Sequence, residues 1–230
     1  MDISVNTSSF IPVHTSAENR MIDGEEVLRV VKPEKIYEYD ENTYTKVKNV
    51  NLKDGIIDVD MMSRLLPDAP DFARGFIGIA FRINEDDTAF ESFYIRPTNS
   101  INATDDPVRQ AHGCQYFAYP KYTFSYFREH GITEYEAPIH HELNQWIHLK
   151  AVIKDDTASF YLNHEEQPVL TVEKLLHGKG IHGGIGLFVD IGTEAFFKNI
   201  RLICNSLNLQ FGDFLPQSTR SCTVNMLLIG

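Results

Sequence analysis

Trp146-Ile147-His148-Leu149-Lys150-Ala151-Val152-Ile153, then Lys154-Asp155-Asp156-Thr157, then Ala158-Ser159-Phe160-Tyr161-Leu162 is the stretch that decides the fold. Ile147, Leu149, Ala151 and Ile153 recur with period two, which puts them on one face of a half-buried strand. The polar tetrapeptide is a turn, and Ala158 to Leu162 returns as the second arm of a hairpin. Asn163-His164 supplies the next turn, because Asn tolerates positive φ.

The same rhythm extends outward in both directions. In Gly75 to Ile83, residues Ile77, Ile79, Phe81 and Ile83 share a face, and Asn84 to Asp87 follows as a turn. Phe90 to Arg96 is a strand ended by Pro97, and Cys114 to Tyr119 another ended by Pro120, since proline removes a ladder donor. Glu26 opens a short strand stopped by Pro33; Val169 to Val172, Gly184 to Val189 and Phe196 to Ile203 complete the series. Gly183, Gly184 and Gly186 precede no helix, so they suit close approach of a facing aromatic ring or backbone rather than a phosphate loop. Helical pattern is confined to one turn expected at Val172 to Leu176. Many short strands joined by turns predict an all-β, two-sheet antiparallel β-sandwich over 26–205. Residues 1–25 form an N-terminal segment whose polar first twenty are expected to fray, and 206–230 an extension packed on the sandwich or an edge strand.

A chain of 230 residues buries a large core without disulfide or metal staples. Fifteen Phe and ten Tyr against one Trp favour strands, where flat rings pack on a pleated surface. The formal net charge of −11 repels phosphate backbones and anionic lipid, which argues against nucleic-acid and membrane partners. Cys114, Cys204 and Cys222 have no metal-ligand spacing, leaving either three reduced thiols or one disulfide with a free thiol. No basic region followed by an apolar core opens the chain, so it reads as cytoplasmic as written and secreted if a leader was removed. An exposed sheet edge would suit a homodimer.

The hairpin, with Gly183-Gly184-Ile185-Gly186-Leu187-Phe188 and Phe197-Lys198-Asn199-Ile200, resembles the C-terminal half of concanavalin A-like lectin/glucanase domains. Laminin-G-like domains share this rhythm of an opening Trp, an Asn-tipped hairpin and a Gly-rich strand. Phe90 to Asn99, Arg109-Gln110-Ala111-His112, Gln115-Tyr116 and Tyr119-Pro120 look like an uncharacterised bacterial group in that superfamily. The resemblance covers roughly positions 50 to 203 and departs at His164, where the pattern has Gly. It implies a jelly roll that binds a carbohydrate ligand or cleaves one, with calcium as the metal natural to the superfamily.

Tyr94, Arg96, Asn99, Arg109, His112, Gln115, Tyr116, Tyr119 and Tyr122 form the candidate binding set. Sugars need ring faces for their C–H patches and planar hydrogen bonders for paired hydroxyls. The competing reading makes Glu91, Arg96 and Arg109 buried ion pairs that hold a long loop. Glycoside cleavage requires two carboxyl groups across the scissile bond; Glu91 is the candidate acid or base, with Glu136 as another. Asp58 and Asp60 alternate as in related glucanases, but Ile56 interrupts the acidic series, and a solvent-facing strand edge accounts for the pair. His140-His141-Glu142, with His130 and His148, lacks H-E-x-x-H spacing, so no metal ligand is assigned. Asp86-Asp87, Asp105-Asp106, Asp155-Asp156 and Asp190 lie in or beside loops, where structural calcium would find oxygen ligands. Three functions follow: carbohydrate recognition, glycoside hydrolysis on the same fold, or a structural or protein-interaction domain.

Overall fold

Alternation along the strands builds two antiparallel sheets that share one apolar interior. The computed structural model describes residues 1–33 and 40–204 and the backbone of 222–224. In the first sheet the order is β14 (Leu170–Val172), β13 (Thr157–Leu162), β12 (Ile147–Lys154), β7 (Gly55–Leu65), β16 (Thr193–Cys204), β4 (Glu25–Val31), β3 (Ser16–Ile22). A short β1 (Asp2–Ile3) also pairs with β16. The second sheet runs β11 (Glu136–Ala137), β10 (Cys114–Tyr119), β9 (Phe90–Ile95), β8 (Ile77–Ile83), β15 (Gly184–Val189), β5 (Tyr44–Val47), β2 (Phe10–Val13). A separate pair joins β6 (Val50–Leu52) to β17 (Cys222–Val224). Two short helices, α1 (Pro107–Gln110) and α2 (Phe124–His130), lie in the connections beside β10.

The hairpin closes in the register its turn requires, Lys154 opposite Thr157 and Leu149 opposite Leu162. Its apolar face, Ile147, Leu149, Ala151, Ile153 and Phe160, meets Ile77, Ile79, Phe81, Phe93 and Ile95 of the other sheet. Phe93 and Phe160 stack across this interior with centroids 4.2 Å apart. The two-sheet sandwich predicted from alternation is the observed architecture.

Several local expectations change. Residues 1–25 do not stand apart: β2 is an edge of one sheet and β3 an edge of the other. Polar composition hid β3, because an edge strand needs apolar residues on neither face when charges pair along it. Its Glu18 accepts from Arg29 of β4 at 2.7 Å. Val172 to Leu176 forms no helix; Val172 ends a strand and Leu175 enters the interior. Asp58 and Asp60 sit on β7, an inner strand rather than an edge, where His148 lies 3.4 and 2.8 Å from them. The extension expected at 206–230 lies outside the described residues, apart from the pairing of Cys222–Val224 with β6. Of the two cysteine readings, the disulfide holds: Cys204 is disulfide-bonded, while Cys114 is free and buried.

The inner strands β8, β9 and β10 of the second sheet are buried on both faces, unlike those of a half-solvated antiparallel sheet. Its outer face carries Tyr44, Phe76, Phe90, Tyr94, Phe117 and Phe188, closed over by Phe127 of α2. Gly186 admits this layer, since a Cβ there would stand 3.0 Å from the Tyr44 ring. Gly78 faces a harder limit, because its Cβ would meet the Phe93 carbonyl oxygen at 2.0 Å. Gly78→Ala is therefore expected to lose about 1–3 kcal/mol through forced strand displacement. Unchanged urea unfolding in that variant would contradict the close approach of β8 and β9.

Candidate functional site

Strand alternation aims Tyr94 away from the sandwich interior, and Arg96 follows it at the end of β9. The chain then runs through a tight turn at Pro97–Asn99 to α1, whose Asp106 caps the backbone N–H of Val108 at 2.9 Å. That turn of helix carries Arg109 back over Asn99 and Thr98. On the far side α2, stopped by Gly131 at φ 62°, presents Phe124 and Arg128 one helical turn apart. Between these segments lies a cavity of about 440 Å³. Phe72, Phe76, Tyr94 and Phe124 supply aromatic faces; Arg74, Arg96, Arg109, Arg128, His112 and Asn99 supply hydrogen-bond donors; Val108 completes the wall.

Arg96 is the hub. Its Nη1 donates to the His112 carbonyl at 3.1 Å and to Glu136 Oε1 at 2.9 Å. Its Nη2 donates to the Tyr94 hydroxyl at 2.8 Å and to Gln115 Oε1. Glu136 also accepts from Arg128 at 3.0 Å, and His112 Nδ1 lies 2.9 Å from its other oxygen. Burial holds the His112 imidazole below its ordinary value against the pull of Glu136. Arg109 Nε donates to Asn99 Oδ1 at 3.1 Å and its Nη2 to the Thr98 carbonyl at 2.6 Å.

Behind the hub, Asp40 accepts from the Phe124 amide and from Gln115 at 3.2 Å. Burial pushes its carboxyl up to about 6, against the opposing Arg96 charge. A carboxyl raised on folding stabilises the fold below its unfolded value near 4. That contribution disappears as pH rises through about 6. Relative to Asp40→Asn, the native protein is expected to lose on the order of 3 kcal/mol between about pH 4 and pH 7. Parallel urea unfolding across that range measures it, and a constant difference between the two proteins would refute it.

Five of the nine residues in the predicted binding set line this cavity: Tyr94, Arg96, Asn99, Arg109 and His112. Gln115 is buried one step behind, against Arg96 and Asp40. Tyr116 points the opposite way, into the interior, because β10 alternates. Tyr119 stacks on Phe90 at 5.1 Å, and Tyr122 packs edge-on to Tyr126, so neither lines the cavity. Glu91 is fully buried and also faces inward; it accepts from the Tyr116 hydroxyl at 3.1 Å and the His177 amide at 3.0 Å. Arg82 stands 3.6 Å from its second oxygen. The catalytic assignment of Glu91 is therefore corrected to an interior role, since period two sends it to the face opposite Tyr94.

Sequence reasoning missed Phe72, Arg74, Phe76, Val108, Phe124 and Arg128. The Phe124 and Arg128 spacing of four is the one signal that could have shown two of them on a helix face. The two readings of the polar block meet at Arg96, which pairs with Glu136 as a buried ion and also lines the cavity, whereas Glu136 does not line it.

Other places offer less. A hollow of about 560 Å³ along Asp2–Val5 and Lys198–Arg201 has its cations paired, Lys198 with Glu25 and Arg201 with Asp2. Three of the loop aspartates are engaged: Asp87 with Lys46 at 2.6 Å, Asp190 with Lys32 at 2.9 Å, Asp86 with Thr88. Among the described residues no three His, Cys, Asp or Glu side chains gather as a metal-ligand set. The Cys114 thiol is buried, and burial pushes it up to about 12, which disfavours the thiolate a nucleophile needs.

No protein-family model matches the chain, and no curated protein is significantly similar to it in sequence. Solved structures do match. The carbohydrate-binding module CBM66 from Bacillus subtilis superposes with a TM-score of 0.53 at 13% identity, covering 84% of this chain and 96% of the module. Its fold is shared with this chain. A Bacillus subtilis protein with a galectin-like fold gives a TM-score of 0.48 at 10% identity, covering 86% and 90%. The VIP36 exoplasmic/lumenal domain, in a form bound to calcium and an oligosaccharide, gives 0.46 at 9% identity, covering 92% of each chain.

Proposed function

We propose that this domain recognises a carbohydrate without cleaving it, and that the cavity beside Arg96 is its binding site. The observation that carries the reading is the joining of four aromatic faces with guanidinium, imidazole and amide donors in one cavity of small-ligand size. Sugar C–H patches stack on the rings, while the donors meet hydroxyl and ring oxygens. A sandwich shared with a carbohydrate-binding module supports the same reading. Cleavage by paired carboxyl groups finds little support at this site. Among the described residues lining the cavity none is a carboxylate, and Glu136 is held by Arg96 and Arg128.

Saturation-transfer NMR against a panel of oligosaccharides, with and without calcium, tests this directly. Transfer to the sugar without new anomeric signals over a day is the expected result. New anomeric signals would replace recognition by hydrolysis; absence of transfer across a broad panel would leave the ion-pair web a structural device.

A further inference from the structure

The formal net charge of the chain is −11, yet the cavity gathers Arg74, Arg96, Arg109 and Arg128, and no described residue in its lining is a carboxylate. Like charges this close repel unless something offsets them. Among the described residues two carboxylates reach the web from behind, Glu136 at Arg96 and Arg128 and Asp40 beside Arg96. Neither reaches Arg109, whose guanidinium has no carboxylate partner among the described residues, in a recess of an otherwise acidic molecule.

The donors left over are specific. Arg109 is clamped by Asn99 through Nε and by Thr98 through Nη2, and among the described residues its Nη1 has no acceptor. Arg128 donates through Nη2 to Glu136 and lies over the Phe124 ring, 4.7 Å from its centroid; its Nε and Nη1 have no acceptor among the described residues. Both guanidinium planes are held before any ligand arrives, so little ordering remains at binding. Held forks of this kind match planar or tetrahedral oxyanions better than lone hydroxyls.

We infer that the cavity selects an anionic saccharide, seating a sugar ring on the aromatic faces and its carboxylate or sulfate on Arg109 and Arg128. This rests on the carbohydrate reading above and narrows its ligand class. Neutral sugars gain the aromatic contact but leave the Arg109 charge unanswered.

The test compares three probes on the whole protein by calorimetry: a uronate oligosaccharide, the same oligosaccharide with its carboxyl groups reduced to alcohols, and a sulfated neutral oligosaccharide. Binding of the uronate at least about tenfold tighter than its reduced form, weakening as salt is raised, is expected. Preference for the sulfated probe over both would support the same site with sulfate as the anion. Arg109→Gln and Arg128→Gln should each erase most of that preference, with urea unfolding used to show that each variant is still folded under the conditions of the titration. Equal affinity for the uronate and its reduced form would overturn the inference and leave carbohydrate recognition standing. Failure of all three probes, when none of a broad neutral panel binds either, would overturn both.

Discussion

Arg96→Ala is expected to unfold with about 3–5 kcal/mol less stability than the native chain, because it breaks a buried ion pair from one side. The guanidinium is almost wholly buried, with 4% of the side chain exposed, and it satisfies four acceptors at once. Its loss leaves Glu136 in the interior with Arg128 and His112 as remaining neighbours, and strips a donor from Tyr94 and Gln115. Lysine should rescue little, since a single ammonium cannot span the His112 carbonyl, Glu136, the Tyr94 hydroxyl and Gln115 as a planar fork does. Urea unfolding measures the loss directly. A deficit below about 1 kcal/mol, the range of an exposed pair, would show that solvent already reaches this network. The Asp40→Asn and Arg96→Ala pair should also be non-additive, because the two side chains share Gln115.

Glu91 produces the second large effect, and it separates framework from chemistry. Glu91→Ala is expected to cost on the order of 3 kcal/mol, leaving the buried Arg82 guanidinium short of one counter-charge. Burial raises the Glu91 carboxyl above its ordinary value, a feature that in a solvent-reached cleft would suit a general acid. Here the carboxyl lies between the sheets, bonded to Tyr116 and to the His177 amide, away from the cavity. Glu91→Gln keeps an oxygen to accept from both partners and should be far milder. Its glycan affinity should equal that of the native protein, as saturation-transfer titration would reveal. A variant that stays folded but loses binding or turnover would return Glu91 to the site.

Much of the sandwich could be read from residues alone, and the reasons are local. Ile147, Leu149, Ala151 and Ile153 could face an interior in only one way, and Lys154 to Thr157 could only turn the chain back. The same period correctly separated Tyr94 and Arg96 from Glu91, Phe93 and Ile95. What alternation cannot say is which of two faces meets solvent. β8 and β9 are buried on both faces, so a buried Glu91 and a cavity-lining Tyr94 carry the same signature in the chain. β3 escaped notice for the converse reason, since its pairing rests on backbone bonds and charge rather than apolar pattern.

The sequence by itself determined the strand periodicity, the turns, the acidic balance and the clustering of polar and aromatic residues between Tyr94 and Tyr122, because each depends on residues near one another in the chain. Only the tertiary structure decided that Arg74, from before β8, and Arg128, from α2, converge with Arg96 and Arg109 on one cavity. Convergence of distant segments depends on how sheet and loops pack, and no local pattern encodes it.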